Sequence, residues 1–557
     1  MIQKKQERHN LKNYEETYRS FRWEDAMPYF SFYETKKVNI AYEAIDRHAK
    51  EGKKNQIALF YHGDKRKETY TFEEIRERSN QAGNLLRKFA SVKKGDHVFI
   101  FMPRIPELYF CLLGAIKIGA IVGPIFEAFM EGAVVERLKD GQAKVLITTP
   151  ELIKRIRLSK FNHLEKIIIV GENIESDKRF IDYNQLVETC STELEIEWVD
   201  LEDPFLIHYI SDAMGKPKGI IHSHKMILQN YMTALWVLDL KENDIYWCTA
   251  DPGWIIGTAY SIFAPWLHGM TNVVVGGRFS PEKWYRVLEQ YGVTVWYSAP
   301  TAFRMLMGAG DDFSKKYDLT QLRHVVSVGE RLNPEIVQWG LKVLNQWIHD
   351  TWLMTETGAQ MICNFLSVES RPGSMGKPVP GIEVAILDQD GQVLPPNQMG
   401  NLAVKKGWPA MMKAIWKQKE RYESYFTKDG WFLSGDSAYM DKDGYIYFQG
   451  RMDDMIKTSG ERIGPFEVES KLLEHPAVRE AGVIGKPDPV QGEVIKAFIA
   501  LKEGYKPTET LSKEIALFIK NELSHHATPR EIEFTNDLPK TKSGKIIRRV
   551  LKAIELE

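Results

Sequence analysis

Cysteine is scarce and scattered. Cys111, Cys190, Cys248 and Cys363 are the four in 557 residues, and no two make a CxxC pair. That spacing excludes a thiolate zinc site and a disulfide framework, and it makes a reducing, cytoplasmic setting the expectation. Net charge is missing as well. The 74 Lys and Arg against 75 Asp and Glu leave −1, so composition points to no nucleic acid or other polyanion as a partner. No apolar run is long and clean enough for a membrane. The strongest, LYFCLLGAIKIGAIVGPIFEAFM (108–130), is interrupted by Lys117, Pro124 and Glu127. It reads as a buried helix followed by a core strand. The first ten residues, MIQKKQERHN, are charged and lack an apolar centre, so they do not read as a signal peptide. Fixed-period repeats and low-complexity tracts are absent too.

What is present is a chain too long for one hydrophobic core, with the apolar and charged fractions of a globular protein. At least three structural units are expected. Short apolar runs (HVFIFMP, AIVGPIF, AKVLITT, KIIIVG, NVVVGG, VTVWYSAP, LRHVVSVGE) alternate with amphipathic stretches. This is the pattern of βαβ units and a largely parallel sheet. After about residue 370 the texture changes. VAILDQDGQVLPP and YMDKDGYIYFQGR place DG turns between alternating strands, as antiparallel hairpins do. The last hundred residues return to mixed α and β. They predict a small separate C-terminal domain, with the linker near GRMDDMIK (450–457).

One segment stands out chemically. YISDAMGKPKG (209–219) follows an apolar strand, and its GKPKG half suits a phosphate loop. Glycine lets backbone N–H groups approach phosphate closely and lysine neutralises it. It is not a Walker A sequence, and alone such a run is commonly a surface turn. Five further segments give it a context: SVGERLNPE (327–335), HDTWLMTETGAQ (349–360), WFLSGDSAYMDKDG (431–444), GRMDDMIKTSGERIGPFEVE (450–469) and LPKTKSGKIIRR (538–549).

In this order, and over nearly the whole chain, these segments resemble the AMP-forming acyl-CoA synthetases of the adenylate-forming superfamily, which also holds luciferases and peptide-synthetase adenylation domains. YWCTADPGWIIG, VGGRFSPE, WYSAPTAFRML, GSMGKPVPG and EAGVIGKPDPVQGEVIKAF look most like the acetyl-CoA synthetase branch. The resemblance implies an α/β fold with a large N-terminal part (1–452) of two α/β subdomains and a small β-barrel (about 365–450). A small mobile α+β domain (453–557) would follow. It implies ATP, Mg2+ and CoA as co-substrates of a small carboxylic acid. An acyl-adenylate and pyrophosphate would form first, and CoA would then displace AMP.

The resemblance also carries residue roles. Lys545 matches the adenylation lysine, which can neutralise charge building on the carboxylate and α-phosphate. A lysine acetyltransferase and deacetylase acting on it would switch that charge off and on. Asp436 matches the ribose carboxylate, Arg451 a second ribose contact and Arg462 a phosphate contact. Gly329, Glu330, Arg331, Asp350, Thr351, Trp352 and Met354 match the adenine and AMP shell. Thr355 would touch phosphate, and Glu356 would hold Mg2+ through its carboxylate. Ser211, Gly215, Lys216, Lys218 and Gly219 belong to the phosphate loop. Asp453 matches the hinge, and Ser459, Gly460 and Lys520 line the CoA channel. Lys520 stands where arginine is usual, so a phosphate contact there is less bidentate. Trp254, Ile255, Ile256, Val328 and Leu353 would line the acyl pocket.

Three departures qualify these assignments. The phosphate loop of such enzymes reads roughly T-S-G-T-T-G-x-P-K-G, whereas this chain has Ile210, Ser211, Asp212, Ala213, Met214 and Gly215. A hydrogen bond to a charged group contributes about 1.5–3 kcal/mol, so losing three threonine hydroxyls weakens triphosphate binding. Asp212 adds a like charge, a repulsion on the order of 4 kcal/mol at about 4 Å and an effective dielectric near 20. Leu353 replaces the second tryptophan that caps an acetate-sized pocket, while Ile255 and Ile256 restore some bulk. Arg331 replaces a proline after Gly-Glu, where either Asp212 or a phosphate is a conceivable partner. The expectation is an active ligase of acetate or a slightly larger acid. Two alternatives stay open: a degenerate paralogue that binds nucleotide or acyl-CoA but adenylates poorly, and an enzyme that completes only the thioester step from preformed acyl-adenylate.

Overall fold

The alternating apolar runs fold as parallel strands. The computed structural model describes residues 9–158, 164–172, 177–211, 217–458, 461–488, 491–523, 527–540 and 546–556; of residues 211, 453, 457, 461, 462, 492 and 556 it describes the backbone alone. Among the described residues the strands form four sheets. The largest carries, in spatial order, Ile348–Trp352, His324–Val328, Val295–Ser298, Ile245–Cys248, Thr271–Val275 and Ile57–His62. All five neighbouring pairs in that run are parallel, and short antiparallel strands extend both edges. The central strands are buried on both faces, which is why they read as continuous apolar runs instead of alternating ones.

The second sheet is built the same way around His97–Phe101, with Ile121–Pro124 and Val145–Thr148 as parallel neighbours. The apolar stretch 108–130 resolves into a helix, Pro106–Lys117, and the strand Ile121–Pro124. Among the described residues no helix is long and apolar enough to cross a membrane. One edge of this sheet is an antiparallel hairpin of Pro204–Ser211 and Pro217–Ser223. Local sequence signals start the helices. Thr71 and Glu74 form a reciprocal capping box ahead of Phe72–Ala90, satisfying two otherwise unpaired amides.

Beyond residue 380 the DG turns do close hairpins. Val384–Leu387, Gly400–Lys405, Trp431–Met440 and Ile446–Arg451 make a four-stranded antiparallel sheet. The turn between the last two needs Gly444, whose φ of +83° is strained for any other L-residue. The C-terminal residues form a separate sheet around the long hairpin Val478–Asp488 and Gly492–Leu501, with Glu531–Phe534 added in parallel. Its helices Pro465–Glu474 and Glu509–Glu522 bury Val468, Leu472, Ile515 and Ile519 in a core of its own. The chain is therefore an α/β protein with a large N-terminal part and a small C-terminal domain. Helix Pro465–Glu474 meets the N-terminal part where Ser470 Oγ donates to Asn333 Oδ1 at 3.3 Å.

Candidate active site

Two parallel strands set the site. Ser327 lies opposite Asp350 and Val328 opposite Thr351, so the segments Gly329–Arg331 and Asp350–Met354 emerge side by side at the carboxyl ends. In open α/β sheets that edge is where ligands bind. Gly329 leaves the strand with φ +92°, and a Cβ there would lie 3.7 Å from Ile256 Cδ1. Glu330 is held by Thr301 Oγ1 and Arg304 Nη2, each donating at 2.6 Å. Thr351 Oγ1 donates to the Ser327 carbonyl at 2.7 Å and lies 2.7 Å from the Tyr297 hydroxyl. Asp350 accepts from the Thr351 amide at 3.0 Å, and its burial pushes its pKa up to about 8 against the opposing pull of that amide and of Arg331.

Arg331 lies against the C-terminal domain. Its guanidinium sits 5.0 Å from the Phe466 ring and faces Glu467 and Asp350. Burial lowers its pKa below the usual guanidinium value. Asp212, one partner the sequence left open for it, lies outside the described residues.

The Asp436 carboxylate, expected to meet the ribose, is held by two long-range contacts. Asp436 faces Arg451 across the hairpin, and Arg451 Nη1 donates to Asp436 Oδ1 at 2.8 Å. Trp352 Nε1 donates to the other oxygen, Oδ2, at 2.9 Å. The tryptophan of one motif thereby fixes the carboxylate of another 84 positions along the chain.

The phosphate-loop hairpin brings a second pair together. Residues 212–216 of its turn, including Gly215 and Lys216, lie outside the described residues, and for Ser211 only the backbone pairing with Pro217 is described. Lys218 follows on the strand and is buried. Its ammonium donates to Glu356 Oε1 at 2.8 Å, with both side chains only 5% exposed. The hydroxyl of Tyr425 touches both partners, lying 3.3 Å from Glu356 Oε1 and in hydrogen-bond contact with Lys218 Nζ. The Met412 amide donates to the Glu356 carbonyl at 2.9 Å and fixes the backbone there. Met354 and Thr355 lie half-buried in the turn that precedes Glu356. Gly219 is a packing residue within the strand: a Cβ there would press on Ile207 Cδ1 at 2.9 Å.

The residues expected to line an acyl pocket fall in two segments, 254–256 and the strand-end positions 328 and 353. Trp254 precedes the short helix Ile255–Thr258 and packs on Phe126 and Phe129, at 5.6 and 6.2 Å between ring centroids. Ile255 and Val328 are buried, whereas Ile256 and Leu353 are half-buried. Thr258 Oγ1 donates to the Pro252 carbonyl at 2.9 Å and contacts His208 Nε2 at 3.0 Å, which fixes that helix against the hairpin strand. Glu127 and Ala128, between the two phenylalanines, line a cavity of about 610 Å³ together with Arg155, Arg278 and Lys283.

Ser459, Gly460 and Lys545 lie outside the described residues. The backbones of Asp453 and Arg462 fall in a 3-10 turn and a short strand at the start of the C-terminal domain. Lys520 is exposed in the last turn of Glu509–Glu522. Thr301, Arg304 and Phe466 lie inside the quoted segments but carry no expected role, and Tyr425 lies outside all of them.

Comparison with known proteins agrees with this geometry. The AMP-binding enzyme family model matches residues 45–416, and the AMP-binding enzyme C-terminal domain matches 467–545. The acetyl-coenzyme A synthetase of Bacillus subtilis is 65% identical over 548 residues, covering 98% of this chain and 96% of its own. That of Methanothrix thermoacetophila is 41% identical, covering 94% and 84%. Among solved structures, a Brucella canis acyl-CoA synthetase superposes with a TM-score of 0.77 at 35% identity, covering 98% of this chain and 99% of its own. An anthranilate CoA ligase in complex with anthranoyl-AMP gives 0.85 at 30% identity, covering 93% and 98%. The chain belongs to the AMP-binding enzyme family and carries both its main domain and its C-terminal domain.

Proposed function

We propose that the protein is an acid–thiol ligase that activates acetate, or an acid one or two carbons longer, with ATP and passes the acyl group to CoA. A carboxylate oxygen attacks the α-phosphorus and the bond to pyrophosphate breaks. The CoA thiolate then attacks the acyl carbonyl and AMP leaves. The observation that carries this reading is that one short segment reaches both groups: Trp352 holds Asp436 together with Arg451, and Glu356, four residues on, pairs with Lys218. The first is a ribose site and the second a phosphate site. The acetyl-coenzyme A synthetases among its relatives support a short acid.

Each group has a physical task. A carboxylate with two fixed donors keeps lone pairs for the ribose hydroxyls. Lys218, Lys216 and the loop amides face the triphosphate, and Lys545 neutralises charge as the new P–O bond forms. Glu356 suits Mg2+, which commonly binds one or two carboxylates plus substrate phosphates, and among the described residues no three-ligand acidic cluster competes for it. Bound there, Mg2+ would draw charge off the phosphates. The cavity lined by Arg155, Arg278 and Lys283, with Asp64 and Glu127 also in its wall, offers cationic groups to the phosphates of CoA. Division into 1–452, with a barrel subdomain at about 365–450, and 453–557, with Asp453 as the hinge and Arg462, Ser459, Gly460 and Lys520 swinging with the smaller domain, belongs to this reading. So does a cytoplasmic location.

The retained Lys218–Glu356 pair and ribose carboxylate weigh against a degenerate paralogue. Pyrophosphate release with C2–C6 acids tests the proposal. ATP- and acid-dependent release is expected, and a folded protein that turns over none of these acids overturns it.

A further inference from the structure

Lys218 and Glu356 are both 4% exposed, so their ion pair is shielded from water, and each would be costly to leave alone. Yet the proposed reaction requires Glu356 to turn to Mg2+ and the triphosphate. Among the described residues the Lys218 ammonium has two hydrogen-bond partners, Glu356 and the Tyr425 hydroxyl. Its ammonium also lies 4.7 Å from the centroid of the Tyr425 ring. Tyr425 is itself firmly seated. Its ring stacks on Phe432 at 5.6 Å with an interplanar angle of 8°, and its carbonyl accepts from the Leu433 amide at 2.8 Å. Phe432 lies on the strand that carries Asp436. Tyr425 therefore stands between the base of the phosphate loop and the ribose strand, on a rigid support.

We infer that Tyr425 is a positioning residue for the first half-reaction: its hydroxyl and ring keep Lys218 partnered when Glu356 leaves it for the metal-bound triphosphate. In the free protein the hydroxyl bridges the pair. Once Glu356 turns away, a buried ammonium would lose its carboxylate, and the phenol oxygen and ring face remain to receive it. Without the hydroxyl, the Lys218–Glu356 pair survives in the free protein but separating it costs more. AMP binding, which asks nothing of Glu356, is spared. This inference rests on the ligase reading, but its test does not depend on turnover.

The test is Tyr425→Phe, which keeps the ring and its stacking on Phe432. Calorimetry on the full chain would compare AMP, ATP with Mg2+ and ATP with a chelator, alongside thermal unfolding. The expected result is a rise of about tenfold in the Kd for Mg-ATP, the size of one lost charge-assisted hydrogen bond. AMP and metal-free ATP should bind within about twofold of wild type and the melting temperature should hold. Thioester formation from synthetic acyl-AMP and CoA should also be spared. Equal Mg-ATP affinity in the two proteins, or parallel weakening of all three ligands, overturns the inference. A wild type that binds AMP but not Mg-ATP overturns both this inference and the ligase reading. A wild type that binds Mg-ATP but turns over no acid overturns the ligase reading alone, and the binding comparison still decides the role of Tyr425.

Discussion

Trp352 donates its indole N–H to Asp436 Oδ2 at 2.9 Å, and both residues are buried. The contact joins the end of the parallel sheet to the antiparallel sheet that follows it. It ties the Asp436 carboxylate to the Asp350–Met354 segment, the proposed ribose and adenine positions. With Arg451 on the other oxygen, Asp436 is oriented before any nucleotide arrives.

Asp436→Ala removes an acceptor that two donors require. The indole N–H, buried, would lose its partner, a penalty of about 1–3 kcal/mol in stability. The ribose would lose its anchor, so the Kd for AMP should rise at least about tenfold and acyl-adenylate formation fall by about 100-fold or more. Asp436→Asn, which keeps one oxygen, should fall between. Calorimetry with AMP checks this, and unchanged affinity in the alanine variant would remove Asp436 from the site.

Much of this site was legible before the structure. Asp436 and Arg451 stand at fixed places in hairpin segments whose DG turns and alternation are strong local signals, and the GER segment follows an apolar run that reads as a strand, whereas Asp350, Thr351 and Trp352 lie within a strand that the polar HDTW sequence did not announce. What was not legible depends on distant meetings. Tyr425 matters because it touches Lys218, 207 positions away, and Glu356, 69 positions away. No local pattern encodes that. For Arg331 the sequence left Asp212 or a phosphate as partner, and the contact with Phe466 of the C-terminal domain, 135 positions away, was not legible.

Asp350 gives a pH dependence of definite sign. Burial raises its pKa to about 8, so the folded protein holds a proton that the unfolded chain releases near pH 3.9. Its contribution to stability is complete below the unfolded value and is lost as pH rises through about 8. Asp251, pushed up to about 7 by burial, acts with the same sign. The buried histidines 208, 222 and 224, lowered to about 3, 4 and 3, work in the opposite direction, but only below their unfolded value of about 6.5. Between about pH 6.5 and 8 the carboxyls are left in control, and the apparent Tm of the wild type should fall. Asp350→Asn should flatten the slope by up to about 1.4 kcal/mol per pH unit. Parallel Tm profiles for the two proteins would sink the assignment.

The proposed acyl pocket makes Leu353 the residue to test. It is half-buried and stands where a second tryptophan would cap an acetate-sized space. A buried methylene of substrate gains about 0.8 kcal/mol, or roughly fourfold, so propionate should match or exceed acetate in kcat/KM. Leu353→Trp fills the space and should shift the ratio toward acetate by at least about tenfold. Steady-state kinetics with C2–C5 acids reads this directly. A variant with unchanged acid preference would show that the chain closes its pocket elsewhere.

The altered phosphate loop makes the sharpest prediction. Its two flanking strands pair in register up to Ser211 and Pro217, and Lys218 is already held by Glu356 and Tyr425. The strands that flank the proposed phosphate loop are therefore in place, and what differs from the related enzymes is the sequence between them. Replacing residues 210–214 with Thr-Ser-Gly-Thr-Thr restores three hydroxyls and removes the Asp212 charge. Mg2+ bound with the triphosphate would screen that charge, so the gain should fall well short of the simple sum. An increase of at least about tenfold in ATP-dependent pyrophosphate release is expected, equivalent to about 1.4 kcal/mol. Because AMP lacks the β- and γ-phosphates, its affinity should stay the same. A rate unchanged by the replacement would mean that the backbone amides and the two lysines carry the phosphate contacts, and that Asp212, Ala213 and Met214 point away from the triphosphate.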